Sequence, residues 1–224
     1  MAQQDSISRA VVAVDVVIFT VKDGKPQVLL IHMKDNSPYP DRWAVPGGMV
    51  QSEESLDDAV KRHLLAKTGI RNIYVEQLAT FGDVKRDPRG RVVSVAYVAL
   101  IPSEGVTLST SGKYRAIQWF PVAKLPSLGY DHTGIIATAY ARLRAKLGYT
   151  NVVYSLLPRE FTLSELQQVY EMILQRKLDK RNFRKKIAQL KLVKRVAARK
   201  KMGVHRPAQL YAFVKRSPEF VQVL

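Results

Sequence analysis

The sequence predicts an α+β fold in two units: a mixed sheet with flanking helices over residues 1–147, then a small basic domain over 156–224. Three observations carry that expectation. Up to Leu147, β-branched runs alternate with amphipathic stretches of helical period. At Gly148-Tyr149-Thr150-Asn151 the pattern breaks, which places a linker over 148–155. Beyond it the charge changes: residues 151–224 hold 17 Lys and Arg against 5 Asp and Glu, while 1–150 hold 19 against 14, so the last third carries most of the formal +17.

The elements follow in order. Val11 to Phe19 reads as a buried strand, turned through Lys22-Asp23-Gly24-Lys25 into a second strand from Pro26 to His32. Asn36 to Asp41 is a loop, and Trp43 to Val50 enters a double-glycine turn. From Ser52 to Lys67 the period becomes helical, with Leu56, Val60, Leu64 and Leu65 as the apolar stripe and Gly69 at the stop. Strands follow at 72–81, 91–101 and 117–120, the first two joined by the basic loop DVKRDPRGR. Asp131 is placed to cap a helix over 132–147.

In the basic unit, Thr162 to Glu165 matches a capping box, and Leu163, Leu166, Val169, Tyr170, Ile173 and Leu174 give the first helix its apolar face. Asp179 caps a second helix, 180–190, with Phe183, Ile187 and Leu190 inward. Val193 to Ala197 and Gln209 to Val214 form a hairpin with the basic tip RKKMGVHRPA.

A chain of 224 residues with 46% hydrophobic content has ample material for one or two packed cores. It has no cysteine, which excludes disulfide scaffolds and thiolate zinc sites. No run of 18 apolar residues and no secretory leader is present, so the expectation is a cytoplasmic protein without a membrane partner. The basic excess attracts a polyanion by counterion release, nucleic acid being the commonest case.

The second helix of the basic unit sharpens that. Opposite its buried stripe it shows Arg181, Lys185, Ala188 and Gln189, with Lys180 at its start and Arg184 at the flank. Arg can bond guanine bidentately and Gln can bond adenine in a major groove. Arg199, Lys200, Lys201, His205 and Arg206 on the hairpin tip would grip phosphates or the minor groove as a wing. The arrangement is that of a winged helix-turn-helix.

The stretch WAVPGGMVQSEESLDDAVKRHLLAKTGI, Trp43 to Ile70, is similar to the Nudix hydrolase motif G-x5-E-x7-R-E-U-x-E-E-x-G-U. Gly48, Glu54, Arg62, Leu64, Gly69 and Ile70 fall in register, while His63, Ala66 and Lys67 stand where the motif has glutamates. The resemblance implies a Nudix fold in which Glu54 and Arg62 brace the glycine loop on the helix. Magnesium wants hard oxygen ligands, and the three substituted positions supply none, so no metal, no cofactor and no catalytic residue is expected. Lys67 instead offers an ammonium to an anionic ligand.

The candidate effector set joins Lys67 to Arg42 and Trp43, to Arg86, Asp87 and Arg89 of the loop, and to Asp131 and His132. Guanidinium groups on a Pro/Gly turn can fork onto phosphate or carboxylate, and RDPRG resembles a loop of Nudix proteins that handle ADP-ribose.

As a whole the chain resembles the NrtR group of Nudix-related transcriptional regulators, through LLPREFTLSELQQVYE (156–171), LDKRNFRKKIAQ (178–189) and HRPAQLYAF (205–213). The Tyr130-Asp131-His132 string matches a recurrent feature of that group. The resemblance implies a homodimer that represses from a palindromic double-stranded DNA operator and is released by a small effector. One branch of the group implies ADP-ribose and a related branch a pentose such as arabinose; the residues leave both open. Two rivals remain. One is an ADP-ribose or nucleotide pyrophosphatase with an atypical metal site on Glu53, Asp57 and Asp58, although Lys61 and Arg62 at i+4 explain Asp57 and Asp58 as helix pairs. The other is a general nucleic-acid binder without an effector.

Overall fold

The computed structural model describes residues 9–69, 73–104, 106, 108, 112, 114–202 and 205–224, with backbone alone for 198–202 and 205–206. Ile70, the last position of the motif, and the side chains of Arg199, Lys200, Lys201, His205 and Arg206 lie outside the described residues.

Strand β1 (Val11–Lys22) is the centre of the N-terminal sheet. Its run of apolar residues is explained by burial on both sides: Val14, Val16 and Ile18 face one helix layer, Val17 and Phe19 the other. β2 (Lys25–His32) returns antiparallel through Asp23 and Gly24, both at positive φ, 51° and 71°, as the tight primed hairpin turn requires. β6 (Val92–Leu100) pairs parallel with β1 from Val11↔Val92 to Phe19↔Leu100, and β5 (Tyr74–Phe81) closes that edge. The short β3 (Trp43–Ala44) and β7 (Ala116–Pro121) both pair with β2. β4 (Gly47–Met49) lies antiparallel along Ala13 to Asp15. β1 therefore changes partner on one side, from β4 near Asp15 to β2 near Phe19, and a cleft opens beside that split.

Helix α1 (Leu56–Thr68) covers the Val14 face. It starts four residues later than Ser52, because Ser55 is the residue whose hydroxyl accepts from Asp58 N–H. Its buried stripe is Ala59, Val60, His63, Leu64, Lys67 and Thr68, whereas Leu65, expected inward, is 40% exposed. The helix is rotated so that two polar side chains take inner positions. Gly69, at φ 65°, ends it and donates to Leu65 O.

Helix α2 (His132–Tyr149) covers the opposite face. Its last turns are tied to the sheet edge by Glu76, which takes Arg142, Lys146 and the Tyr74 hydroxyl.

Residues 148–155, expected as a linker, are packed instead. α2 runs through Tyr149, a 3-10 turn covers Val152–Leu156, and Asn151, Val152 and Val153 are buried. The polar backbone of this segment is satisfied by the C-terminal tail. Val221 N–H donates to Tyr149 O (2.9 Å), Val223 N–H to Gly148 O (3.1 Å), and the Asn151 side chain bonds Ser217 O and Glu219 N. Arg216 closes the end of the 3-10 turn on Leu157 O and Pro158 O. One apolar core runs through this joint, from Val17 of β1 to Phe213 near the other end of the chain.

In the C-terminal unit, α3 (Leu163–Leu174) begins with a complete capping box of Thr162 and Glu165. Asp179 caps α4 (Lys180–Gln189) by accepting from Asn182 N–H. Phe183 of α4 meets Tyr170 of α3 at 5.3 Å between ring centroids. β8 (Val193–Met202) and β9 (His205–Phe213) form the hairpin, longer than expected, and Phe161 bonds Tyr211 as a third stub of strand. Among the described residues no helix is long and apolar enough to cross a membrane.

Candidate functional site

Two places carry concentrated chemistry, the cleft beside β1 and the outer face of α4. The cleft holds about 180 Å³ and is lined by Asp15 of β1, the Gly47-Gly48 turn, the loop residues Arg86, Asp87 and Arg89, and Tyr114, Tyr130 and His132.

Its floor is an ion cluster. Arg86, with its side chain only 3% exposed, places Nε and Nη2 on the two carboxylate oxygens of Asp131 (3.0 and 2.9 Å). Nη2 also reaches Asp15 Oδ2 at 3.0 Å. The same oxygen accepts from the Ser94 hydroxyl at 2.6 Å. On the other side His132 Nδ1 accepts from Val45 N–H at 3.1 Å, which in the neutral ring leaves the proton on Nε2, 3.5 Å from Asp15 Oδ1. Burial pushes the Asp15 carboxyl up, but His132, Ser94 and Arg86 outweigh it and hold it at about 2.

That has a pH consequence. A carboxyl held below its ordinary 3.8 stabilises the fold fully above that value and loses its contribution as pH falls towards about 2. Acid titration of folding should show a loss of about 2 kcal/mol over this window, and Asp15→Asn should flatten it; an unchanged acid limb in the variant would remove the assignment.

Nearer the mouth, Asp87 accepts from Arg89 Nε (2.9 Å) and Nη2 (2.6 Å), and its depressed pKa follows first from that pairing. Arg89 lies 5.9 Å from the Tyr130 ring. Both arginines expected to meet an anion are thus already engaged by carboxylates.

The glycine turn brings β4 against β1. A Cβ at Gly47 would stand 2.3 Å from Val14 O, and one at Gly48 would stand 2.9 Å from His63 Cε1, so both positions exclude a side chain for reasons of space. Glu54 accepts from Arg62 Nε and Nη2 at 2.6 and 2.7 Å, and this pairing holds its carboxyl down at about 2.

The positions that the Nudix resemblance assigns to metal ligands carry a different donor set. His63 and Lys67 are buried, Ala66 is exposed, and the Lys67 ammonium sits 4.0 Å over the Tyr114 ring. A buried ammonium with an imidazole and a methyl does not suit magnesium. Asp57 takes the Tyr97 hydroxyl rather than Lys61, and Asp58 takes Ser55 and Lys61. Among the described residues no group of three or more His, Cys, Asp or Glu side chains could hold an ion.

Of the expected effector residues, the structure brings Arg86, Asp87, Arg89, Asp131 and His132 together. Lys67 is buried and does not itself line the cleft; its ammonium covers the ring of Tyr114, which does. Arg42 and Trp43 do not line the cleft. Arg42 donates to Leu128 O, and Trp43 stacks on His32 at 4.7 Å with Phe120 edge-on. Asp131, expected as the cap of α2, makes no side-chain cap bond because Arg86 holds both its oxygens. Sequence reasoning missed Asp15, Ser94 and Tyr114, and gave Tyr130 no place in the site. For Asp15 a signal existed: a single carboxylate in the middle of VVAVDVVIF has to find a partner when buried.

On α4, Lys180, Arg181, Lys185 and Gln189 are exposed around Ala188, opposite buried Phe183 and Ile187. Arg184 is half-buried and donates to Ser164 Oγ. Leu190, expected inward, is only partly buried.

Comparison with known proteins covers both units. Residues 10–141 match the family model of the NUDIX domain, and residues 153–213 match that of the NrtR DNA-binding winged helix domain. The ADPR-responsive transcriptional repressor NtrR of Acinetobacter baylyi is 38% identical over 97% of this chain and 88% of its own length. The crystal structure of Shewanella oneidensis NrtR complexed with a 27-mer DNA is similar at 34% identity, with a TM-score of 0.80 over 90% of this chain and 93% of that one. The Nudix domain of the same Shewanella protein, complexed with ADP-ribose, is similar at 33% identity, with a TM-score of 0.54 over 63% of this chain and 94% of that one.

Proposed function

This chain belongs to the NrtR family of Nudix-plus-winged-helix proteins, and on that premise we propose that it is a DNA-binding repressor whose cleft senses ADP-ribose without hydrolysing it. The arabinose alternative has no support among the relatives above. In this reading residues 1–147 form the sensor and 156–224 the DNA-binding unit, working in the cytoplasm as a homodimer. Two-fold symmetry then places two α4 helices about one DNA turn, or a multiple of it, apart.

The observation that carries the reading is a continuous path. α2 begins in the cleft at His132 and ends at Tyr149, in the joint that holds the winged helix. An effector shifts DNA affinity only if it binds one arrangement of that path better than the other. Helix α2 and the joint through Asn151 are the lever. Structures with and without effector that keep the same α4 spacing would remove it.

A diphosphate in the cleft would meet Arg86 and Arg89 by displacing their carboxylates, and Lys67, at a position where the Nudix motif has a glutamate, would take the place of magnesium. ADP-ribose at about 100 times its Kd should stabilise the protein by about 2.7 kcal/mol. A thermal-shift titration should give this rise equally with and without magnesium, and arabinose should give none. Lys67→Ala should weaken the metal-free response. Magnesium-dependent release of AMP from ADP-ribose would instead favour a pyrophosphatase.

A further inference from the structure

Asp131 occupies the N-cap position of α2, yet its side chain caps nothing. An aspartate there ordinarily accepts from the N–H two or three positions on. Here both oxygens turn the other way, onto Arg86. Its backbone, at φ −89° and ψ 18°, lies away from the extended conformation of a cap, and Gly134 N–H is served by Asp131 O instead. The Thr133 N–H, at the second helical position, is one of the first-turn donors that have no intrahelical acceptor, and it meets no backbone acceptor outside the helix among the described residues. The preceding residue, Tyr130, lines the cleft at φ 54°, a left-handed conformation that a bulky side chain adopts only under constraint.

Charge makes this arrangement exchangeable. Asp15, Asp87 and Asp131 face Arg86 and Arg89, so three carboxylates meet two guanidiniums. A diphosphate entering this cluster is repelled unless it takes a guanidinium away from a carboxylate. Arg86 lines the cleft and is within reach of such a ligand. Of its two partners, Asp15 keeps Ser94 and His132 if Arg86 leaves. Asp131 keeps no other partner among the described residues, but it stands beside an uncapped helix end whose dipole favours an anion.

We infer that Asp131 is a two-position residue: it holds Arg86 in the ligand-free protein, and it turns to cap α2 when an anionic group of the effector takes that guanidinium. The turn requires Asp131 ψ to move to the extended region, which re-aims the chain entering α2. The cleft is thereby coupled to the helix that ends in the joint. Asp131 is a positioning residue, and the inference rests on the functional reading above only for the identity of the anion.

Two substitutions separate the two positions. Asp131→Asn keeps an oxygen able to cap but loses the carboxylate that holds Arg86; Asp131→Ala loses both. Without any ligand, exchange of the Thr133 amide should slow about fivefold in Asp131→Asn, the effect of one cap, and should not slow in Asp131→Ala. Asp131→Asn should also bind a duplex selected by the wild-type protein from a random pool about tenfold more weakly, and ADP-ribose about tenfold more tightly, as coupled sites do. In the wild-type protein ADP-ribose should slow the same amide. Thr133 exchange that is equal in wild type and Asp131→Asn, or slowed alike in both variants, overturns the inference. Failure of the wild-type protein to take up ADP-ribose in calorimetry sinks the effector assignment alone, because the ligand-free comparison still decides the switch.

Discussion

Replacing Arg86 by alanine is expected to be the most damaging single change in the cleft. It removes the cation shared by Asp15 and Asp131 and leaves Asp15 charged in a site where its side chain is only 10% exposed. Breaking a buried pair from one side costs about 3–5 kcal/mol, because the remaining charge keeps its desolvation penalty. For a chain of this size that lowers Tm by roughly 10 °C. Differential scanning calorimetry at pH 7 is the measurement, and a fall below about 2 °C would contradict the cluster as described. The deficit should also narrow as pH falls, since protonation of Asp15 removes the part of its charge that Arg86 no longer offsets. Asp15→Asn in the Arg86→Ala background should recover part of the loss for the same reason. A purely steric role for Arg86 predicts neither.

The second large effect is expected on α4. Arg181 and Lys185 stand one turn apart on the exposed face. Truncating both to alanine removes two cationic groups from that face without touching the buried Phe183 and Ile187. At about 1–3 kcal/mol for a bond to a base, and less for one to a phosphate, the double variant should bind a selected operator duplex on the order of a hundredfold more weakly. The slope of log affinity against log salt should fall by about one for each phosphate no longer neutralised. Circular dichroism and the thermal response to ADP-ribose should stay as in the wild type, which separates damage to the interface from damage to the fold. Lys61→Ala, an exposed change on α1, is the control. An affinity reduced by less than threefold would place the interface elsewhere.

Local rules made most of the fold legible. Runs of β-branched residues identified the strands, and Gly24, Gly69, Thr162 and Asp179 ended or began elements as their chemistry dictates. What escaped was set at long range. The joint over 148–155 has the composition of a linker, and only the tail, bonding back across some seventy residues, makes it a packed element. His63 and Lys67 look like the polar side of α1 until the sheet, the glycine turn and Tyr114 surround them. Asp131 illustrates the limit best. Its position beside a helix correctly suggested a cap, and a guanidinium 45 positions away in the sequence outcompetes that local bond. Arg86, Asp87 and Arg89 were recognisable as a cluster, but their pairing with Asp15, Asp131 and with one another was not.

The placement of Trp43 has an optical consequence. The chain has two tryptophans, Trp43 and Trp119, and both belong to strands that pair with β2. Neither stands in the C-terminal unit, so tryptophan emission, excited selectively beyond the tyrosine absorption, reports on the N-terminal unit alone. Trp43 also accepts from Gly129 N–H and donates to Ser127 O, which anchors its backbone to the segment that leads into Tyr130 and Asp131. Its indole, stacked on His32 and edged by Phe120, stands where a shift of that segment changes the quenching environment. In a Trp119→Phe background the remaining emission is a built-in optical readout of the turn, with no dye attached and no label placed near the ligand.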